Sequence, residues 1–369
     1  MPPGLRAGAW VRLAGPSGAS KGVGIWDEGH VAVRRFREDE GPADAAWLGK
    51  VVESALRRRL LPPQTTAWRW IHGENDDLPG IRVDVWGTDL GLVLDAPGLL
   101  PLVEPLLDAL IARWPAATEG PFRAAWLSWR PAQGEETRMR GLPVGCVRGA
   151  PESDAVSVRE HNLRYEVRPA DGFDAGLYCD MRDVRAWIAP RWPGIRVLNT
   201  FAFTGAWSVA AASGGAAEVV TVDLAAAAIT RAEQNFRNNN LDPTPHRFLA
   251  EDTFRALDRL RRTGERFDVV IADPPSFARG PDGPWSAAQD FPRLIASCLR
   301  VLSPGGWLVA ATNQGKVSPK AFQEQLSDGA HRAGRRLRIL HQASQPSDFP
   351  AALAFPESRY LKCWVVEAG

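Results

Sequence analysis

A carboxylate followed by two prolines, a serine and an aromatic residue is the part of the sequence best suited to chemistry. These residues are Asp273, Pro274, Pro275, Ser276 and Phe277, directly after an apolar run. Successive prolines hold the backbone extended and offer carbonyls without competing donors. The carboxylate and these carbonyls can accept hydrogen bonds from an amino group of a planar substrate, and the phenyl ring can stack on it. A strand ended by two prolines explains the turn but not its flanking groups, so we predict a substrate site.

A second loop, residues 199–205, has the composition of a cofactor-binding turn. It contains Asn199, Phe203, Thr204 and Gly205, and a helix is predicted from Ala206. A glycine lets the backbone approach a ligand closely, and a helix N-terminus directs N–H groups at its polar end. The G-x-G-x-x-G pattern is absent from the sequence, which argues against a dinucleotide. An ordinary strand-to-helix turn is the alternative.

Two further carboxylates each follow a predicted strand. Asp223 can accept both hydroxyls of a ribose, and Asp252 can accept the amino group of an adenine. Helix N-caps are the alternative for both residues. The three loops together predict a cofactor that carries an adenosine.

These loops need a sheet that brings them to one edge. After residue 195, short apolar strands alternate with helical stretches, and two β-like runs near the C-terminus complete seven strands. This rhythm predicts an α/β fold with a doubly wound, Rossmann-like sheet, closed by an antiparallel hairpin. Ligands of such sheets bind beyond the carboxyl ends of the strands, where these loops lie.

The residues before this domain predict two smaller parts. Residues 1–42 contain short β-like runs between turns, and residues 43–168 alternate strands and helices in an α+β pattern. The predicted boundaries are therefore 1–42, 43–168 and 169–369. A chain of 369 residues is also longer than one core usually organises.

The composition excludes several classes of protein. The 45% hydrophobic and 24% charged residues are typical of a globular chain, and no stretch approaches the ~20 apolar residues of a membrane span. The first residues lack the apolar run of a signal peptide, so we expect a cytoplasmic protein without a membrane partner. Four scattered cysteines without a C-x-x-C pair predict neither a metal site nor disulfides. A net charge of +1 gives no overall signal for nucleic acid.

With these motifs in hand, the chain resembles a class I S-adenosylmethionine-dependent methyltransferase. More narrowly, it is similar to the PUA-containing family that methylates large-subunit rRNA at cytosine C5. The similarity extends to residues 72–81, 159–163, 174–182 and 355–362. The resemblance implies that S-adenosylmethionine binds to Thr204, Gly205, Asp223 and Asp252, and to the rest of the cofactor set. That set also includes Tyr178, Asp180, Arg182, Asn199, Phe203 and Asp273.

The chain departs from that family at three places. The PUA-like module at residues 1–42 is shortened, and Met181 replaces a glutamine. The loop after the fifth strand, residues 311–316, lacks the cysteine of the cytosine-modifying members and has Asn313 and Gln314 instead. In this respect it resembles the guanine-N7 methyltransferases of 23S rRNA.

The missing thiol matters because cytosine C5 needs a thiolate to add at C6 before it can attack a methyl donor. Cys298 is expected in a helix core, and Cys179 would be a displaced nucleophile only as a minor alternative. We therefore predict RNA, in particular 23S rRNA, as the substrate, with a guanine nitrogen favoured over cytosine C5. Asn313 would read a base edge beside Asp273, Pro274, Pro275 and Phe277.

Two other functions stay open at this point. The same fold could methylate a small molecule or a protein, since the first module is short and the net charge is near zero. A non-catalytic RNA-binding relative is the third alternative, which the intact Asp273 motif and Asp223 oppose. A homodimer is also open, and the sequence does not specify the nucleotide position.

Overall fold

The structure, a computed structural model, describes residues 4–41, 43–280 and 283–369. Between residues 277 and 289, Trp285 is the one side chain that it describes. The chain forms two compact units. The first comprises Met1–Asn162, Glu166–Cys179 and Ser347–Pro356, and the second comprises Leu163–Tyr165, Asp180–Pro346 and Glu357–Gly369. The predicted modules 1–42 and 43–168 both fall mainly in the first unit, and their separation from each other stays a prediction.

The first unit is built on a three-stranded and a five-stranded sheet. The smaller sheet is antiparallel, in the order β1-β2-β3. The larger sheet has the order β4-β5-β6-β7-β8 and is antiparallel except between β6 and β7. The elements are β1 (Trp10–Ala14), β2 (Ser20–Trp26), β3 (Val33–Arg37), α1 (Ala45–Arg57), β4 (Ala67–His72), β5 (Ile81–Trp86), β6 (Asp89–Leu94), α2 (Val103–Ala117), β7 (Ala124–Trp129) and β8 (Gly145–Arg148).

One apolar core joins these two sheets and two helices. The carboxylate of Asp44 caps α1 by accepting a hydrogen bond from the Trp47 backbone N–H at 2.9 Å. The helix then buries an apolar face against β4, whose Trp68 and Trp70 are fully enclosed. Ile25 of β2 belongs to the same core, so the N-terminal strands and the central strands share it.

A short hairpin follows β8 along the chain. Its strands are β9 (Val156–Glu160) and β10 (Leu163–Val167). The turn lies at His161, whose φ of 53° is in the left-handed region. This turn falls in the segment 159–163, where the family resemblance implied a hairpin, although the apolar pattern alone gave one continuous strand.

The second unit contains the predicted seven-stranded sheet, in the order β13-β12-β11-β14-β17-β19-β18. Its first five strands are parallel, and β19 runs antiparallel to both β17 and β18. The prediction of a doubly wound sheet with a closing antiparallel hairpin is confirmed. The elements are α3 (Arg182–Ile188), β11 (Arg196–Thr200), α4 (Ala206–Ser213), β12 (Glu218–Asp223), α5 (Ala226–Asn238), β13 (Arg247–Ala250), α6 (Thr253–Arg262), β14 (Phe267–Ala272), β15 (Phe277–Gly280), β16 (Gly283–Ser286), α7 (Ala287–Val301), β17 (Leu302–Thr312), α8 (Pro319–Ala333), β18 (Leu337–Ala343) and β19 (Lys362–Ala368).

Neighbouring residues of each central strand enter cores on opposite faces of this sheet. Val220, Val270 and Leu308 pack into one core, while Val219, Val269 and Val309 pack into the other. Side chains alternate along a strand, so continuous apolar runs are what a sheet covered on both faces requires. The antiparallel hairpin of β15 and β16, directly after the Asp273 motif, was not predicted.

A ten-residue segment of the chain between β18 and β19 belongs to the first unit. In that segment the Asp348 carboxylate accepts a hydrogen bond from the Arg69 backbone N–H at 3.0 Å. The Ala352 backbone N–H donates to the Asn75 side-chain oxygen at 2.7 Å. The first unit is therefore completed by residues far along the chain.

No helix in the described ranges is long and apolar enough to cross a bilayer. The described His, Cys, Asp and Glu side chains form no group of three that could hold a metal ion.

Candidate active site

The loop after β11 holds a strained backbone at the carboxyl edge of the sheet. Phe201, Phe203 and Gly205 have φ values of 52°, 50° and 76°, all in the left-handed region. A non-glycine residue held there costs about 1–3 kcal/mol, and such strain is typical of ligand-binding turns. At Gly205 an added Cβ would lie 2.7 Å from the Cβ of Ala232, so α4 and α5 approach each other too closely for any side chain. The helix predicted at Ala206 begins there.

The carboxylate of Asp223 fixes this loop to the tip of β12. Its Oδ2 accepts a hydrogen bond from the Phe203 backbone N–H at 2.8 Å, and its Oδ1 accepts one from the Ala225 N–H at 2.9 Å. A carboxylate has about four acceptor positions, so two backbone bonds leave room for the ribose hydroxyls assigned to it. The side chain thus supports the loop and faces the same edge.

Asn199 lies beneath the loop, in a buried polar cluster. Its side-chain amide donates to the Ser208 hydroxyl at 2.9 Å, and the Thr221 hydroxyl donates to the same oxygen at 2.8 Å. All three residues are fully buried. The Asn199 side-chain oxygen has no hydrogen-bond partner among the described residues. The buried Thr204 presents its carbonyl to the Asn235 side chain at 3.0 Å. These buried hydrogen bonds stabilise the loop at residues 201–205. The predicted contact of Asn199 with the cofactor stays a prediction.

Asp252 has the cap geometry that the sequence left as an alternative. Its Oδ1 accepts hydrogen bonds from the backbone N–H groups of Phe254 and Arg255, at 3.0 and 3.1 Å, at the start of α6. These bonds stabilise the helix. Both end on one carboxylate oxygen, and the contact of this side chain with an adenine stays a prediction.

Asp273 stands at the tip of β14 among packed groups of the same unit. The Trp207 indole N–H donates to its Oδ2 at 3.4 Å. Burial raises the pKa of Asp273 to about 6, with a further increase from the nearby Asp180 carboxylate, while the Trp207 bond and the Arg185 guanidinium lower it. The residue is only half-buried, so this pKa reflects local crowding of the carboxyl group. The Tyr360 hydroxyl donates to Asp180 at 2.8 Å, which places that predicted cofactor residue near the same pocket.

One of the two proline carbonyls predicted to accept from the substrate already has a donor. The Trp285 indole N–H donates to the Pro275 carbonyl at 3.0 Å. The Trp285 ring is buried between Phe201 and Phe254, with centroid distances of 5.8 Å to each. Pro274 is buried and Pro275 exposed. Phe277 begins β15, and its predicted stacking role falls on a side chain outside the described part.

The loop after β17 is linked to the Asp273 motif by side-chain hydrogen bonds. The Ser276 hydroxyl donates to the Asn313 side-chain oxygen at 2.6 Å, and the Gln314 side-chain amide donates to the Ser276 carbonyl at 3.2 Å. The buried Lys362 ammonium donates to the Gln314 carbonyl at 2.6 Å. Asn313 is exposed, and its contact with a base stays a prediction. We call this hydrogen-bonded group, residues 276, 313, 314 and 362, the loop clamp.

Three residues that contact the predicted site residues carry no signal of their own in the sequence: Trp207, Trp285 and Lys362. Each is a side chain of a neighbouring element that reaches the pocket only after the sheet has assembled. Lys362 lies in the segment 355–362 that carried the family resemblance, and this was the one available signal.

The cysteines near the sheet are poorly suited to nucleophilic catalysis. Cys298 and Cys363 are fully buried, and burial raises the pKa of each thiol. Cys363 lies close enough to Asp273 for the negative charge to raise its thiol pKa further. Cys179 is also buried, and it belongs to the first unit with the exposed Cys146. A thiolate nucleophile requires the opposite environment, one that is electropositive and accessible.

The remaining predicted cofactor residues lie on either side of the boundary between the units. Arg182, fully buried, begins α3 of the second unit, three residues after Cys179. Tyr178 belongs to the first unit, where it is 38% exposed and its hydroxyl donates to Asp174 at 2.5 Å. Their contacts with the cofactor stay predictions.

Known proteins show the family of this chain and agree with its fold. Residues 143–357, more than half of the chain, match the S-adenosylmethionine-dependent methyltransferase family. Ribosomal RNA large subunit methyltransferase I of Tolumonas auensis is 31% identical over 98% of this chain and 91% of its own. The enzyme of the same name from Aeromonas salmonicida is 32% identical over 82% of this chain and 75% of its own.

A solved structure, SMU.776 complexed with SAH, is similar in fold, with a TM-score of 0.87 over 99% of this chain and 93% of that one. Its sequence identity is 24%, so this likeness concerns the fold. The sequence matches carry the assignment of family. The chain belongs to the S-adenosylmethionine-dependent methyltransferases, in the group of ribosomal RNA large subunit methyltransferase I.

Proposed function

We propose that this methyltransferase transfers the methyl group of S-adenosylmethionine to a base of RNA, in particular 23S rRNA, at a guanine nitrogen. The similar curated enzymes are named as methyltransferases of large-subunit ribosomal RNA, which supports RNA as the substrate. The nature of the acceptor is inferred from the pocket itself.

The observation that carries the choice of acceptor is the state of the cysteines around the pocket. The loop after β17 has Asn313 in place of a cysteine, and Cys298 and Cys363 are buried thiols with raised pKa values. Methylation of cytosine C5 needs a thiolate that adds to C6, whereas a ring nitrogen attacks through its own lone pair. Positioning of that lone pair in line with the methyl group then supplies the rate.

The assigned residues divide between the two ligands. The strained loop at Thr204 and Gly205, with Asp223 and Asp252 on the neighbouring strands, would hold the cofactor. Asp180, Arg182 and Tyr178 would cover it, with Asn199 and Phe203 completing its loop. Asp273, Pro274, Pro275, Phe277 and Asn313 would hold the flat base.

The Asp273 carboxylate has a second role in this proposal. Transfer moves the positive charge of the sulfonium to a ring nitrogen of the base, while the sulfur becomes neutral. A carboxylate beside the base favours that redistribution of charge, provided that it is ionised. With a pKa of about 6, Asp273 is ionised at neutral pH.

The test is product analysis. Ribosomal RNA that lacks the modification is incubated with isotopically labelled S-adenosylmethionine, digested and analysed by nucleoside mass spectrometry. We expect labelled methylguanosine, and we expect it also from the Cys298→Ala and Cys363→Ala variants. Labelled 5-methylcytosine from the wild-type enzyme would show that the choice of acceptor is wrong, and its survival in these variants would also refute the need for a cysteine thiolate. Absence of label from all RNA would refute the substrate class.

A further inference from the structure

The first unit carries an exposed cation–aromatic pair, Arg130 and Phe173, to which the proposed methyl-transfer pocket gives no role. Arg130 directly follows β7, and its backbone N–H donates to the Leu94 carbonyl at 2.8 Å, at the end of the parallel strand pair β6–β7. Its guanidinium carbon lies 3.8 Å from the ring centroid of Phe173. Arg130 is exposed, and the Phe173 ring is 38% exposed, so both groups can be reached from solvent.

The segment that carries Phe173 is seated closely on the sheet. Gly172, with φ of 66°, lies so near β7 that an added Cβ would be 2.8 Å from the Ser128 Cβ. The Tyr178 ring stands 6.0 Å from the Phe173 ring at an angle of 55°, and Asp174 holds its hydroxyl at 2.5 Å. Two aromatic rings are therefore held in place before any ligand arrives. We call Arg130 and Phe173 the aromatic platform, and Tyr178 is the neighbour that supports the Phe173 ring.

The charges around the platform favour an anion at Arg130. Its neighbours Arg69 and Arg82 are each neutralised by a carboxylate, Asp84 and Asp95 respectively. Within the described ranges, Arg130 itself forms no ion pair. The pKa of Arg130 is lowered, first by crowding of the guanidinium among its neighbours although the residue as a whole is exposed, and then by repulsion from Arg82, while the Asp95 carboxylate acts in the opposite direction. A phosphate would relieve that repulsion and complete a charge-assisted hydrogen bond.

We propose that the aromatic platform binds an unpaired nucleotide of the RNA substrate, with Arg130 on a phosphate and an exposed aromatic ring against a base. The inference rests on the proposed function, because it takes RNA as the substrate. An exposed ring combined with a guanidinium is the usual means of holding single-stranded nucleic acid without reading its sequence. The two contacts differ in a measurable way, since phosphate contacts depend on salt and stacking does not.

The experiment measures binding of a short labelled single-stranded RNA to the full-length protein across about 50 to 200 mM salt. Arg130→Gln should weaken binding and reduce the slope of log affinity against log salt by about 0.7, the value of one phosphate contact on a single strand. Phe173→Ala should weaken binding about 5- to 100-fold and leave that slope unchanged.

Arg148→Gln provides the matched control. Arg148 belongs to the same unit, but it is paired with Asp108 at 3.1 Å and with Glu104. This variant should keep the affinity and the salt slope of the wild type. Binding of S-adenosylhomocysteine, measured by calorimetry, should be the same in all four proteins and shows that each is folded.

Two outcomes would overturn the platform. In the first, the Arg130→Gln and Phe173→Ala variants both bind RNA with the same affinity and salt slope as the unmodified protein. In the second, the unmodified protein binds a neutral peptide but does not bind RNA. If the wild type methylates RNA while the variants bind it normally, the platform alone is wrong. If the wild type binds the oligonucleotide but methylates no RNA, the proposed function fails while the platform stands.

Discussion

The ammonium group of Lys362, buried at the start of β19, donates a hydrogen bond to the carbonyl of Gln314 at 2.6 Å. Gln314 in turn holds the Ser276 carbonyl, so one lysine fixes the loop after β17 against the Asp273 motif. Burial lowers the pKa of Lys362 to about 8, because removal from water disfavours the charged ammonium. Shifted pKa values of this kind are common where a side chain positions a functional loop.

Replacement of this lysine tests the loop clamp. Lys362→Met keeps the length and apolar stem of the side chain but removes the donor, so the Asn313 loop loses its anchor. A hydrogen bond from a charged donor contributes about 1.5–3 kcal/mol, so kcat/KM for RNA should fall about 10- to 100-fold. The affinity for S-adenosylmethionine should stay unchanged.

Lys320→Met is the control for that substitution, because Lys320 is an exposed residue of α8 with an 87% exposed side chain. It should have wild-type kinetics. Equal loss of cofactor and RNA binding in Lys362→Met would instead indicate general disruption of β19, and the clamp would then have no specific role.

Asp273→Asn should remove an acidic limb from the pH profile of methyl transfer. In the wild type the carboxylate, with a pKa of about 6, must be ionised to favour the methylated base, so kcat should rise with pH through that value. The amide cannot ionise, so the variant should be flat there and about 10- to 100-fold slower at pH 8. A wild-type profile without an inflection near pH 6 would contradict this role.

Asp273→Asn should slow methyl transfer but increase the stability of the fold at alkaline pH. The folded protein retains the Asp273 proton up to about pH 6, whereas an unfolded aspartate loses it near its ordinary value of 3.8. The folded state therefore binds more protons between these values, and stability falls as pH rises through that range. Asp273→Asn avoids this loss, so its melting temperature at pH 8 should exceed that of the wild type.

Trp207→Phe should move the acidic limb rather than abolish it. The indole N–H at 3.4 Å favours the ionised carboxylate and lowers the pKa of Asp273. Without that donor the pKa should rise further, so the inflection in kcat should appear at higher pH while the plateau rate changes less. An unchanged inflection would mean that the indole does not influence the carboxylate.

Gly205→Ala should destabilise the second unit and weaken cofactor binding. The substitution combines a side chain at φ of 76° with a contact of 2.7 Å between its Cβ and that of Ala232. The left-handed backbone costs about 1–2 kcal/mol, and the overlap adds about 1–3 kcal/mol. The free energy of unfolding and the dissociation constant of S-adenosylhomocysteine are the quantities to measure.

Gly264→Ala separates the energetic cost of the left-handed backbone from the cost of the steric overlap. Gly264 has the same φ of 76°, but no atom lies within 4 Å of the position of its added Cβ. It should show only the backbone penalty and normal cofactor binding. If both variants lose the same stability, close approach of α4 and α5 is not the reason for a glycine at 205.

The positions of the sheet strands along the sequence, and the parallel pairing of the central ones, could be predicted because each central strand is a short apolar run bounded by turns. The runs at 218–222 and 267–271, for example, lie within β12 and β14. The hairpin of β15 and β16 was missed, because its residues follow two prolines and carry no alternating pattern. The turn at His161 lies in the segment 159–163, where the family resemblance implied a hairpin, although the strand pattern alone gave one continuous run.

The pocket was predictable only in part, for a similar physical reason. Asp223 ends β12 and Asp273 directly follows β14, and the topology of a parallel sheet brings such positions together. Trp285 belongs to the unpredicted hairpin and Lys362 to a distant part of the sequence, and both reach the site through packing that no local pattern encodes. Asp252 differs from these residues, because its two hydrogen bonds to the start of α6 are those of an ordinary helix N-cap, which the local sequence could indicate.

The ten residues between β18 and β19 that complete the first unit place a constraint on how this polypeptide can be divided. Expression of residues 1–179 alone would leave the Arg69 amide without the Asp348 carboxylate, and expression of the remainder would leave an unsupported loop. No single cleavage point yields two intact halves. Recombination between related genes would therefore have to exchange the two units together, or graft this loop along with the N-terminal half.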